Sequence, residues 1–273
     1  MPTGPLLLAL CAAFVHAGWN LLLSRAPDSE QATATAAAIG AVAFAPVAAL
    51  TWNVSAKAIP YAAISGALEL VYLMLLARAY QEGELSLVYP VARGSAPVLV
   101  LVFTVVVLGV SPPAAAVAGI ALVATGVVLV RGGRAGADPR HFRLALAIAV
   151  AIASYTLIDK QGLKHADPLP YLELAVAPPA LVYLLITKRR KGIAPIKADT
   201  LLAGLGIFGS YALALAAIRL ASTEEVPSVQ AVRESSVVIA VVLARVILHE
   251  RVTRGRLAGA AAVVAGVAAI ALA

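Results

Sequence analysis

Leu85 to Ser95 reads LSLVYPVARGS, a proline and an arginine set inside an otherwise apolar run. The chain repeats the device downstream, where Pro227 to Ser235 reads PSVQAVRES. Sliding the sequence by 140 residues places Arg233 on Arg93, Ser235 on Ser95, Gly259 on Gly119 and Gly266 on Gly126, and sets Leu248-His249 against Leu108-Gly109. A register kept across two hydrophobic segments is an internal repeat, and it divides the chain near its middle.

The chain is 62% hydrophobic and 13% charged, with a mean hydropathy of +0.93, whereas soluble domains carry about a quarter charged residues. It therefore reads as a membrane protein. The apolar residues fall in ten blocks of about 20, the helical length that crosses a ~30 Å hydrocarbon core. Their apolar character is continuous rather than alternating, which predicts a bundle of helices and not a barrel of strands. The expected spans are Pro5 to Leu23, Ala32 to Thr51, Ile59 to Tyr80, Leu85 to Val110, a fifth that Pro112-Pro113 open and Val130 ends, Leu144 to Gly162, Tyr171 to Thr187 with a kink at Pro178-Pro179, Leu201 to Leu220, Val226 to Leu248, and Arg254 to Ala273. The polar stretch RGGRAGADPRHFR, residues 131–143, joins a first half of residues 1–130 to a second of residues 144–273.

Several function classes recede on composition. Cys11 is the single cysteine, so the chain has no internal disulfide and no cysteine-built metal site. The formal charge of +7 sits in short loops, where the positive-inside effect accounts for it, and nucleic acid is not an expected partner. No Lys or Arg precedes the first apolar run, so a cleaved signal peptide is not expected, and the last block leaves no room for an appended soluble domain. An enzyme would need converging nucleophile, base or metal ligands, and His16 is the one histidine inside a span. No enzymatic activity, metal or cofactor is expected.

Polar residues within the spans are the candidate site. Insertion scales put a charge at mid-span at roughly 2.5 kcal/mol or more, so Arg93, Glu69 and Arg233 call for a reason. Glu69 and Arg93 lie on consecutive antiparallel spans and are expected to pair, either as a structural lock or with Arg93 meeting an anionic group of a substrate and Glu69 as its resting partner or a proton site. Arg233 and Glu234 are the second half's version. Adjacent helical residues cannot share a face, and the repeat favours Arg233 toward the cavity. His16, Trp19 and Asn20 form one stripe on the first span. A shift of 136 sets Tyr155 on Trp19 and Thr156 on Asn20, which predicts that all four face a common cavity between spans one and six. Tyr72, Tyr89, Tyr211 and Gln230 would add aromatic and amide contacts. Gly119 and Gly126, repeated as Gly259 and Gly266, read as close-packing faces.

YQEGELSLVYPVARGSAP, the first-span HAGWN and the Leu248-His249-Glu250 that ends span nine resemble the drug/metabolite transporter superfamily, in its ten-helix EamA-type branch. The likeness covers essentially the whole chain. It implies an all-α membrane protein of ten transmembrane helices in two inverted five-helix repeats, a central substrate cavity, and secondary transport with no ATP site. The chain departs from the family pattern at Ser24, where relatives often carry a Lys that the second half supplies as Lys160, and at Leu108-Gly109-Val110, which lacks the acid kept at Glu250.

Two halves with Pro-marked polar segments at membrane depth are the sequence pattern of a transporter with its site between repeats. The leading expectation is a secondary transporter in the cell membrane that moves a small polar metabolite, an amino acid, organic acid or phosphonate-like anion, by alternating access. Protons are the coupling ion considered, the lipid bilayer is the partner, and the protein is a monomer or homodimer. Two alternatives stand beside it: efflux of lipophilic cations, which needs a buried acid that Arg93 does not neutralise, and a non-transporting membrane scaffold. Charge asymmetry puts both termini outside, while the resemblance implies both inside.

Overall fold

A computed structural model describes residues 1–81, 85–131, 139–247 and 254–273. They form eleven helices: α1 (Thr3–Ser24), α2 (Ser29–Leu50), α3 (Ala58–Gln81), α4 (Leu85–Val106), α5 (Ala114–Arg131), α6 (Pro139–Gly162), α7 (Pro168–Lys191), α8 (Ala198–Leu220), α9 (Val226–Arg233), α10 (Ser236–Ile247) and α11 (Arg254–Leu272). Six of the spans are long and apolar enough to cross a membrane outright, and Ser95–Val106, Ala114–Leu129 and Leu257–Ile270 form shorter apolar helices.

Two boundaries differ from the expected spans. The fourth helix stops at Val106, and Gly109 then takes a left-handed φ of 66°, open to glycine without strain. The ninth span is not one helix. Between α9 and α10 the backbone bonds tighten to three-residue spacing, Glu234 N–H to Ala231, Ser235 to Val232 and Val237 to Glu234, before the four-residue ladder resumes at Ile239. Such a turn inside a helix marks a functional hinge or local strain. The Pro178-Pro179 pair, by contrast, lies within a continuous α7.

The packing pattern repeats with two-fold symmetry. Helix α1 packs on α8 and its counterpart α6 on α3; α2 packs on α8 and its counterpart α7 on α3; α4 meets α6 as α9 and α10 meet α1; and α2 with α7 and α5 with α11 pair across the axis. Glycines report the symmetry atom by atom. A Cβ on Gly126 would lie 2.6 Å from the Gly259 carbonyl and 2.7 Å from Val263, and one on Gly266 would lie 2.6 Å from the Gly119 carbonyl and 2.8 Å from Val123. Those residues correspond under the 140-residue shift. Lipid is as apolar as leucine, so helices associate in it by close approach and not by hydrophobic transfer. Accordingly the interior is dominated by Ala and Gly, while Leu50, Val106 and Leu220 face outward.

Each membrane face carries a clasp between the halves. On one, the α2–α3 connection pairs with the α6–α7 connection through an isolated antiparallel bridge of Val54 with Ala166, with Ser55 N–H donating to His165 at 2.8 Å and Asp167 N–H to Asn53 at 3.0 Å. On the other, the Lys191 ammonium at the end of α7 meets Asp28 at 3.3 Å and Glu30 at 2.5 Å. Symmetry relates the two clasps, but their chemistry differs.

Candidate substrate site

The middle of the bundle holds a chain of polar contacts that no single helix could build. Arg93 enters from α4, 4% exposed. Its Nε lies 2.9 Å from the fully buried Glu234 carboxylate at the end of α9, and its Nη2 lies 3.2 Å from His16 Nε2 on α1. From Glu234 the chain returns along α9, where Gln230 Nε2 donates to Glu234 at 3.5 Å and Arg233 Nη1 donates to Gln230 Oε1 at 3.1 Å. The Arg233 guanidinium stands 5.9 Å from the centre of the Tyr211 ring. Tyr211, on α8, donates to Asp159 Oδ2 of α6 at 2.7 Å, and Tyr171, on α7, donates to Oδ1 at 3.0 Å. Six helices meet through these side chains. The tightened turn between α9 and α10 makes the arrangement local: it brings Glu234 round to α4 while Arg233 keeps to α8.

The expected Glu69 to Arg93 pair is replaced by Arg93 to Glu234. The reason is packing: α3 lies mainly against α6 and α7, not against its sequence neighbour α4. Glu69 instead faces Asp159 and the Tyr211 hydroxyl, with Arg233 beyond. The stripe on α1 also divides. Trp19 is held against α8, its Nε1 donating to Ser210 at 3.2 Å and its Cβ stacked over Gly206. Asn20 turns back to the His16 carbonyl of its own helix at 2.8 Å, and the His16 ring lies edge-on to Trp19. Tyr155 sits between Tyr72 and Tyr211, with ring centres 6.2 and 6.3 Å away. Thr156 is buried and donates to Ile152 on its own helix. Trp19 is thus held by α8, Tyr155 stands between α3 and α8, and Asn20 and Thr156 bond back to their own helices. The Tyr89 side chain and the Leu248-His249-Glu250 segment lie outside the described residues.

Sequence reasoning missed Asp159, Tyr171 and Ser210, and it placed Glu234 behind Arg233. Asp159 had a signal: it follows Tyr155 by four residues and shares its helix face. Lys160, expected as a stand-in for a family residue of the first span, is turned away from the network. Its ammonium donates to the carbonyls of Ile218, Arg219 and Ala221 that end α8. A separate pocket of about 330 Å³ lies between α3 and α7, lined by Ile59, Gly66, Ala175 and Pro178 among others, all apolar, and it touches none of the charged residues.

The sequence profile of a transporter family, the EamA-like transporter family, matches residues 3–132 and again residues 142–272. The chain belongs to the EamA-like transporter family. Its two matched segments are the two helical repeats, and the protein is a multi-pass integral membrane protein of the drug/metabolite transporter type. EamA members are transporters, not enzymes. No curated protein matches the chain. A solved structure described as "Crystal structure of protein" resembles it with a TM-score of 0.78, covering 98% of this chain and 95% of that one at 17% identity, a likeness of fold.

Proposed function

We propose that this EamA-like protein carries a small organic anion, an amino acid, organic acid or phosphonate-like compound, across the cell membrane by alternating access between its two halves. The observation that supports the reading is the Arg93 guanidinium, buried at mid-bundle and held by the Glu234 carboxylate, on a span whose helix is interrupted. A discontinuous helix at a repeat interface is where secondary transporters bind their solutes. Arg93 and Arg233 together bring two permanent cations to this interior. A planar guanidinium holds a carboxylate or phosphonate through two parallel bonds, which an ammonium cannot do. An entering anion would displace Glu234 from Arg93, and Gln230 and the tyrosines would supply neutral donors around it.

Flux in proteoliposomes against a metabolite panel, with and without a pH gradient, tests the reading. Uptake of one anionic class that disappears in Arg93→Ala supports it, and unchanged uptake in that variant refutes it. A second reading, efflux of lipophilic cations, draws on one observation: Glu69 has no basic group within ion-pair distance among the described residues and lies near Tyr72 and Tyr155, ring faces that attract cations. Arg93 and Arg233 in the same interior repel such a cargo, and cation efflux in the same panel would favour it.

A further inference from the structure

The pocket between α3 and α7 is a groove that opens outward from the bundle. Its floor is a helix crossing: a Cβ on Gly66 would lie 2.6 Å from the Ala175 carbonyl, so the two backbones touch there. On its rim Ile59 is 55% exposed and Val182 40%. Ala58–Leu75 and Pro168–Lys191 are each long and apolar enough to cross a membrane, so what lies outside this rim is hydrocarbon and not water. The symmetry-related crossing is that of α8 on α2, where a Cβ on Gly204 would lie 2.5 Å from the Ala36 carbonyl. Setting Gly204 on Gly66 places Leu201, Leu205 and Phe208 where the groove has Ala63, Ala67 and Leu70. The Phe208 ring is fully buried and packs on Phe44 with ring centres 5.9 Å apart. One crossing thus fills with its own side chains the place that the other leaves open.

We propose that this groove seats one acyl chain of a phospholipid from the leaflet on the side of the Val54–Ala166 clasp, with an anionic headgroup preferred. Three observations select that occupant. The first is depth. Both α3 and α7 start from the clasp, and the lining on α3 runs from Ile59 to Leu70. That is roughly 16 Å of helix at 1.5 Å per residue, about half of a ~30 Å hydrocarbon core and so the depth of one leaflet. The second is size. A volume of about 330 Å³ with apolar walls lies near the lower end of the ~300–1,000 Å³ range of small-molecule sites, and a helix ~10 Å across would need several times that volume over the same length. The third is charge at the mouth. Lys57, two residues before Ile59, and Lys164 are exposed on the two connections that form the clasp, where a lipid phosphate would lie. Asp167 on the same face is paired with Arg219 at 3.1 Å, and the exposed Trp52 sits at the level where tryptophans gather at a membrane interface.

Helix α3 belongs to the first repeat and α7 to the second, so a seated chain touches both halves. Within a bilayer it gains nothing by leaving water and binds through close packing alone. Groove shape therefore governs its affinity, and enlarging the lining side chains removes the site. The inference makes no use of Arg93 and holds for any transported solute.

Native mass spectrometry and thermal unfolding of the purified full chain in detergent test this, with dioleoyl phosphatidylglycerol, dioleoyl phosphatidylcholine and glycerol phosphate as probes. The expected result is one phosphatidylglycerol retained per chain with a higher melting temperature, a smaller rise with phosphatidylcholine, and none with glycerol phosphate. Ala67→Leu combined with Leu70→Phe copies the other crossing into the groove. That variant should melt no lower than wild type without lipid, and should lose both the retained lipid and the shift. Ala63→Leu, at the exposed rim, should lose most of both and decides the matter should the combined variant not fold. Lys57→Gln with Lys164→Gln should respond equally to the two lipids, and a surviving preference for phosphatidylglycerol overturns the headgroup assignment. A wild type that retains no lipid, a folded filling variant that responds as wild type does, or an equal response to glycerol phosphate overturns the proposal. Filling variants that still retain lipid but change oligomeric state would assign the groove to a second copy of the chain and overturn it as well.

Discussion

Arg93 and Glu234 lie 2.9 Å apart on α4 and at the end of α9, and both are buried. The pair crosses from one repeat to the other, so the same contact that neutralises two charges also ties the halves together. Removing one partner strands the other, at a cost of roughly 3–5 kcal/mol for a buried pair.

Arg93→Ala and Glu234→Gln should each lower the melting temperature in detergent, and Arg93→Ala combined with Glu234→Gln should recover most of that loss. Uptake should not return in the combined variant, because an anion site has lost its cation. Recovery of folding and flux together, measured on the same preparations, would make the pair a structural lock only.

Gly126→Ala and Gly266→Ala should destabilise alike. Each new methyl meets a carbonyl oxygen at 2.6 Å and a valine of the facing helix, and overpacking of this kind costs about 1–3 kcal/mol. Thermal unfolding of the two variants should agree within a few tenths of a kcal/mol, roughly the scatter of equivalent sites. A large difference would mean that α5 and α11 are not exchanged by the two-fold axis.

Lys160→Met should lower stability without altering solute preference. The substitution leaves carbonyls at the end of α8 without their donor, and each buried acceptor so stranded costs about 1–3 kcal/mol. Hydrogen exchange at Ile218 to Ala221 should accelerate while apparent KM values across the panel stay in the same order.

The ionic clasp should weaken in acid. The Gln31 backbone N–H, followed by Lys191, holds the Asp28 carboxyl below its ordinary value of 3.8. A depressed acid contributes its stabilisation above the unfolded value and gives it up as pH falls through the folded one, so the loss begins below about pH 4. Asp28→Asn should flatten the melting temperature between about pH 5 and 3, and salt should reduce the contribution at neutral pH because the pair is partly exposed.

The helices, their order and the repeat are legible in the sequence because lipid enforces long apolar runs, and because glycines at close crossings recur in register, as Gly119 and Gly126 do with Gly259 and Gly266. Partner choice inside the bundle is not legible at that level. Sequence adjacency pointed Glu69 to Arg93, but α3 packs on α6, and the residue that decides the site from there is Asp159. Glu234 was hidden for a second reason: on an unbroken helix it would point away from Arg233, and only the tightened turn after Arg233 brings it to Arg93. Trp19 and Tyr155 show the same limit, since the shift identified them as counterparts without saying which helix each one meets.

The bridge of Val54 with Ala166 and the pairing of Lys191 with Asp28 and Glu30 occupy equivalent lips of the two repeats. A perfect duplicate would give a carrier whose two open states have the same energy. Here one lip closes with main-chain bonds, which dissolved ions hardly screen, and the other with charges, which they do. Dissolved salt therefore acts on one lip of the bundle and leaves the other nearly unchanged.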